Sequence, residues 1–538
     1  AAREFDQSKL SDQAQTWVNQ HLTYTHGYGV TVSPVSEATE QGLPELFVRD
    51  IPPRGETSLK VTGPEIYYGE RADAFVLVKT TAKEFDYPMG DSNVFTEYSG
   101  TGGVGIGSFA RQLIFSVRFA TIKLLVSDYL RPDSRILYRR ALTERVNAIA
   151  PFLQYDRDPY MVIRDDGSLV WLWDAYTTTD VFPNSQPNLT GLNYIRNSIK
   201  VVIDAYNGDV TFYQMDPDDA IASTWGNVFP GLFTPAEDMP DDIRRHLRYP
   251  EDFLSIQAEA LSIYHMTEPQ TFYNKEDVWE IATELYGGNE IAVQPYYLMM
   301  VLPGESQEEY VLLQPFTPRT KQNMISWMAA RMDGDEYGEL LVIAFPKDKL
   351  VFGPAQVEAR INNDPVISAQ LTLWDQAGSD VIRGNLLVIP VEDSLIYVEP
   401  LYLQAEQSAI PELTRVIVAY GDVVVMEPDL KSALASIFSA TPGGPTTTVP
   451  AGTTTTAPGA TTTTIPTTTT ITVPPVTTTT TISGTLPTDR GALLDLAEQL
   501  YEEARTAQRS DDWATYGEKI KRLGEVLSAL RALENVAP

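Results

Sequence analysis

Four histidines, His21, His26, His246 and His265, are the only imidazoles in the chain, and it has no cysteine. Without a thiol there is no disulfide, no thiolate nucleophile and no Cys-ligated zinc or iron–sulfur centre. No two of the histidines form an H-E-x-x-H pair, which sets aside the familiar zinc hydrolases. A serine hydrolase needs a serine, a base and an acid in one place, and the chain has no G-x-S-x-G elbow to present the serine. His26 in YTHGYGV and His265 in YHM sit among aromatic residues, where an imidazole is expected to be a hydrogen-bonded structural group.

Carboxylates are the richer source of chemistry. Asp333, Asp335 and Glu339 fall in DGDEYGE. Alternating oxygen donors with glycine allow a sharp turn around a hard cation, so this stretch is the candidate calcium loop, and calcium is the one cofactor expected. It is not an EF-hand, because the glutamate at the twelfth position and the flanking helices are missing. Asp156, Asp158, Asp165 and Asp166 form a second acidic group and Asp216, Asp218 and Asp219 a third, both expected to be solvated turns. A glycosidase would set two carboxylates about 5–5.5 or 6.5–9.5 Å apart across a sugar cleft. Trp171 and Trp173 beside Asp174, and Trp279 beside Glu280, offer stacking surfaces for such a cleft, although strand tryptophans belong mostly to cores.

Gly100, Gly102 and Gly105 match G-x-G-x-x-G. In a dinucleotide site these glycines bring backbone N–H groups to a pyrophosphate at a helix N-terminus. Here no buried strand precedes them and no βαβ unit follows, so a packed or flexible turn is expected, with an anion-binding turn of exposed N–H groups as the alternative. Asn188-Leu-Thr190 matches a glycosylation sequon without further support.

The elements that must position these residues belong to an acidic chain of 538 residues with net charge -32. That balance opposes nucleic-acid binding, which rests on lysine and arginine neutralising phosphates. The densest basic group, Arg139, Arg140 and Arg145, has Glu144 among its members. Hydrophobic residues at 43% suffice for substantial cores, and the length suggests about three or four domains. No signal peptide opens the chain, and no run of about 18 apolar residues would span a bilayer; Leu113 to Leu130 reads as a core helix.

Three regions are expected. Residues 1–440 form an α+β body of two or more subdomains. Residues 441–488, rich in Thr and Pro and free of charge, form a semi-stiff tether of the kind found on exported proteins. Residues 489–538 form a two-helix hairpin with Leu493, Leu500, Trp513 and Leu523 on its inner faces, expected to dock on the body or a partner. Within the body, helices are predicted at Ser11–Leu22, Gly107–Leu130, Ser134–Ala150, Ser255–Met266 and Lys275–Tyr286. Strands are predicted in Thr31–Val48, Glu65–Lys79, DGSLVWLWDAYTTT, Glu309–Phe316, Glu339–Phe345, Ile367–Asp375 and Asn385–Val391. Asn207-Gly208 between two apolar runs predicts a hairpin.

Several strings carry a resemblance. YTHGYGV (Tyr24–Val30), GPEIYYGE (Gly63–Glu70), RVNAIAPFL (Arg145–Leu153), NYIRNSIKVVIDAYNG (Asn193–Gly208), RYPEDF (Arg248–Phe253) and YVEPLYLQAE (Tyr397–Glu406) are similar to the uncharacterised bacterial membrane-protein family numbered 0182. The resemblance covers roughly residues 15 to 435. It implies transmembrane helices absent from this chain, an extracytoplasmic location at the cell membrane, and Ala1 near the end of the last membrane helix. It implies no catalytic residue. The expected role is extracytoplasmic binding, sensing or assembly, with a protein or envelope glycan as partner. The alternatives are an envelope carbohydrate-active enzyme with paired carboxylates, or a substrate-gathering cap of a transporter, which would place a funnel or pocket near Ala1.

Overall fold

The computed structural model describes residues 1–439, apart from 36, 40, 56–58, 189, 287–288, 347, 376–378, 392–393 and 406–409, together with 493, 496, 499, 500, 503, 515, 519, 521–523 and 526. The chain divides into two compact units, Ala1–Thr447 and Thr448–Pro538. The first is α+β, built from several small sheets and short helices. The Thr/Pro tether lies outside the described residues. In the second unit Leu493, Leu500 and Val526 are buried, with Leu496 and Leu523 packed against them. Trp513 lies outside the described residues.

The N-terminal layer holds a three-stranded sheet in the order β1 (Val76–Val78), β3 (Arg135–Leu137), β2 (Val104–Gly105). Between β2 and β3 run two helices, α1 (Phe109–Arg118) and α2 (Lys123–Val126). The single helix predicted over Gly107–Leu130 is therefore two, separated where Ala120 takes a φ of 50°. Nor is it a core helix: Phe109, Leu113, Ile114, Val117, Ile122 and Val126 are exposed. The helix predicted over Ser134–Ala150 is β3 followed by α3 (Leu142–Ile149).

The central sheet is built on two long antiparallel strands, β4 (Leu169–Thr179) and β5 (Tyr194–Asp204), and β5 turns through Asn207-Gly208 into β6 (Val210–Gln214). Gly208 takes φ 74°, the left-handed conformation that a tight turn needs. Nine consecutive residues of β4, Leu169 to Thr177, are buried. Leu169, Trp171, Trp173 and Ala175 join one core, and Val170 and Leu172 join another. A strand covered on both faces loses the apolar–polar alternation of a half-exposed one.

Two further antiparallel sheets follow. One is centred on β7 (Glu308–Pro318) and the other on β9 (Ser394–Ala405). Preceding β9 come helices α4 (Pro354–Asn363) and α5 (Pro365–Trp374), then the edge strand β8 (Ser379–Arg383). A strand was predicted over Ile367–Asp375, and α5 stands there instead. Asp364 caps it, accepting from the N–H groups of Val366 and Ile367 at 2.9 and 3.0 Å, with Pro365 in the first turn. That start signal outweighs an apolar run too short to distinguish helix from strand. The helix predicted over Lys275–Tyr286 is two short strands, Trp279–Ile281 and Thr283–Tyr286. The strand predicted over Thr31–Val48 reduces to bridges and Val48–Arg49, and Ser11–Leu22 contributes a π-helical turn over Asn19–Thr23.

Candidate functional site

The largest of three described cavities, about 570 Å³, opens beside the N-terminal segment. Phe5, Asp6, Gln7, Tyr24, His26, Glu70, Arg71, Asp73 and the buried Arg140 are among the residues that line it. Phe5 and Tyr24 stack at 4.9 Å, nearly parallel. The Gln7 amide is fixed by the carbonyls of Gln20 and Tyr24 at 2.6 and 2.9 Å.

His26 is 5% exposed. Its Nδ1 lies 2.9 Å from the Gly27 carbonyl, which only accepts, so Nδ1 carries the proton and Nε2 presents a lone pair. That Nε2 is buried with no protein partner. Burial, with Arg140 nearby, lowers the imidazole pKa to about 4, so the ring is neutral at physiological pH. A buried acceptor without a donor costs stability unless something fills the role.

Arg140 is equally enclosed. Its guanidinium donates to the carbonyls of Tyr67 (2.7 Å), Ala74 (3.0 Å) and Thr25 (2.6 Å). Desolvation lowers its pKa to about 10, which leaves it charged at neutral pH. Behind it, Glu84 accepts from Thr25 Oγ1 (2.6 Å), the Tyr67 hydroxyl (2.9 Å) and Tyr98 N (3.0 Å). Burial raises the Glu84 pKa. At the rim, desolvation raises the Glu70 carboxyl, with Glu4 adding to the effect. The cleft thus combines a neutral acceptor, a buried cation and an acidic rim.

The residues singled out by sequence go elsewhere. Asp333 accepts from Tyr310 N at 2.8 Å, and Glu339 pairs with Arg331 at 3.0 Å, a guanidinium that also holds Glu309 at 2.6 Å. Asp335 lies in the short turn Gly334–Glu336 between them. Among the described residues no group of three acidic or imidazole side chains is placed to hold a metal ion. Asp158, Asp165 and Asp216 pair with Arg248, Arg245 and Arg196, at 2.5, 2.7 and 2.5 Å. Asp219 caps a helix and collects hydrogen bonds from Thr177, Ser198 and Tyr194.

Gly100 and Gly102 let the backbone approach the β5–β6 turn: a Cβ on either would lie within 2.3 Å of Asn207. The N–H groups of Thr101 and Gly102 are taken by Asn207 Oδ1 (2.9 Å) and the Tyr98 hydroxyl (2.8 Å). The turn packs against Asn207 and Tyr98, and Thr101, Gly102 and Gly103 also line a second cavity of about 330 Å³ with Arg139 and Arg145.

The tryptophans are core residues. Trp171 and Trp173 donate to the carbonyls of Tyr68 and Asp156 at 3.0 and 2.7 Å. Asp174 faces Lys200 across β4 and β5 in a buried ion pair. His265 stacks on Trp279 at 3.7 Å, and His21 on Phe75 at 4.0 Å.

Sequence reasoning missed a second buried cluster. Arg383 on β8 holds Glu399 through Nε and Nη2, Glu358 on α4 through Nη2 at 2.6 Å, and Asn362 through Nη1 at 2.6 Å. Burial and the neighbouring Glu399 push the Glu358 carboxyl up to about 8. This is a close carboxylate pair, but neither member lines any of the three described cavities. No spacing signal joins positions 358, 383 and 399, or 26, 70 and 140; only the fold does.

No solved structure matches this chain. A "UPF0182 protein" of Pelotomaculum thermopropionicum is 51% identical over 533 residues, covering 98% of this chain and 55% of that protein. Those of Desulforamulus reducens and Moorella thermoacetica are 49% and 50% identical, covering 99% and 98% of this chain and 55% of each relative. The chain thus spans about half the length of these curated relatives. A family model described as "Uncharacterised protein family (UPF0182)" matches residues 1–374. With half-identical relatives along nearly its whole length, the chain belongs to the UPF0182 family.

Proposed function

We propose that this chain is an extracytoplasmic ligand-binding part of a membrane protein, and that the His26 cleft takes a small polar ligand rich in hydroxyl or amino donors, of the kind envelope glycans present. The observation that carries the reading is the unpartnered, buried Nε2 of His26, a residue that lines the largest described cavity. A ligand O–H or N–H would supply the missing donor. The stacked Phe5–Tyr24 pair offers an apolar wall for a sugar face, and Glu70 and Asp73 suit amino groups or further hydroxyls. The Thr/Pro-rich stretch supports an exported location by composition.

A thermal-shift screen with neutral and amino sugars tests this. A ligand that binds only the folded state raises Tm, by an amount equivalent to about 2.7 kcal/mol at a concentration a hundred times Kd. The expected result is a Tm rise for at least one sugar, lost in His26→Phe and reduced in the rim variant Asp73→Asn. No shift with any sugar, or an equal shift in both variants, would overturn the assignment.

A further inference from the structure

Helix α1 is folded inside out. Its inward positions include Gln112 and the buried Ser116 beside Phe115 and Phe119, while Phe109, Leu113, Ile114 and Val117 point to solvent. Val117 is 75% exposed, Phe109 68% and Ile114 64%; Ile122 and Val126, at 69% and 66%, extend the surface onto α2. The two helices are anchored from beneath by Phe115, Phe119 and the buried Leu124, packed with Leu77 and Ile136. The face is therefore pre-formed. An apolar surface of this kind marks a contact with another apolar phase.

Charge identifies that phase. The chain carries 72 acidic residues against 40 basic ones. Between residues 107 and 130 the ratio reverses: Arg111, Arg118 and Lys123 stand against Asp128 alone, and all three basic residues are exposed. Apolar side chains flanked by basic residues match the boundary of a bilayer containing anionic lipid, where the apolar groups enter the acyl region and the cations meet phosphates. A second copy fits worse, because a two-fold interface sets the same basic residues against themselves. The acidic remainder of the protein does not prevent binding, since charges more than about 8–10 Å from the headgroups are screened at physiological ionic strength.

We propose that the α1–α2 face docks on the surface of an anionic lipid bilayer. The proposal does not rest on the His26 cleft. Flotation of the chain with vesicles of phosphatidylglycerol mixed with phosphatidylcholine tests it, against vesicles of phosphatidylcholine alone. The wild type is expected to float with the anionic vesicles. Ile114→Asp with Val117→Asp should lower partitioning about tenfold or more, with an unchanged thermal melt because both positions are exposed. Replacing Arg111, Arg118 and Lys123 with Gln should abolish the preference for anionic over neutral vesicles, since each cation contributes about fivefold. Failure of the wild type to float, or equal flotation of the double Asp variant, would overturn the proposal. So would sedimentation showing a wild-type dimer that the Asp variant dissolves, with no vesicle binding; that outcome assigns the face to a second copy.

Discussion

Arg140 and Arg383 each sit beneath the surface, and their surroundings differ in kind. Arg383 meets two buried carboxylates, Glu358 and Glu399, so its hydrogen bonds and its charge are answered together. Arg140 meets three backbone carbonyls and lines a cleft; among the described residues no carboxylate bonds it directly, and Glu4 and Glu84 act on its charge only from farther away. The first arrangement is closed and ties α4, β8 and β9 together. The second lines a cavity that His26, with its unpartnered buried nitrogen, also lines. Buried charge by itself therefore says little about function; the kind of partner, and the presence of a cavity, separate a fastener from a site.

The largest effect should come from breaking the closed cluster. Arg383→Met leaves Glu358 and Glu399, 1% and 0% exposed, without their cation. Removing one partner of a buried pair costs about 3–5 kcal/mol. Chemical denaturation should show that loss, while binding in the His26 cleft of the remaining folded protein should be unchanged. A loss below about 1 kcal/mol, the range of exposed pairs, would mean that the cluster is solvated and the contrast false.

A smaller effect separates the clusters by pH. The Glu358 carboxyl titrates near 8 in the folded chain against an ordinary value of 4.5. The folded state then holds the extra proton between those values, so this contribution to stability is present below pH 4.5 and is lost as pH rises through about 8. His26 runs the other way. Its folded pKa of about 4 lies below the ordinary 6.5, so its contribution is present above 6.5 and is lost as pH falls through about 4. Relative to wild type, Glu358→Gln should flatten the fall of Tm as pH rises from 4.5 to about 8, and His26→Gln the fall as pH drops from 6.5 to about 4. Parallel profiles for both variants would show that neither group carries the linkage.

How much of this could be read beforehand depended on whether the signal was local. The β5–β6 hairpin was legible because Asn207-Gly208 imposes its own geometry. The tryptophans of β4 were legible as core because a strand rich in Trp, Val and Leu has little other use. Helix α5 was misread from an apolar run, although Asp364-Pro365 announced its start. Helix α1 was legible as a helix and misplaced, because an amphipathic pattern says which residues share a face and not which face is inside. The His26 cleft brings together positions 6, 26, 70 and 140, far apart in the chain; locally His26 reads as a structural imidazole among aromatics and Arg140 as one of a basic group, and nothing in the sequence joins them.

The Asp333–Glu339 loop gives the smallest expected effect and the finest test of the contrast between closed and open charge. Its Asp333 carboxylate already caps Tyr310 N, and Glu339 already pairs with Arg331. A calcium ion would have to displace both contacts and leave Arg331 to Glu305 and Glu309. Calcium should therefore leave the Tm of the wild type where EDTA leaves it. Arg331→Gln, which releases Glu339 and Glu309, should create a calcium-dependent rise in Tm, because freed carboxylates beside a turn are what a hard cation requires. A rise already present in the wild type would mean that protein partners do not close a carboxylate cluster to a cation, and the same doubt would then extend to the reading of Arg383.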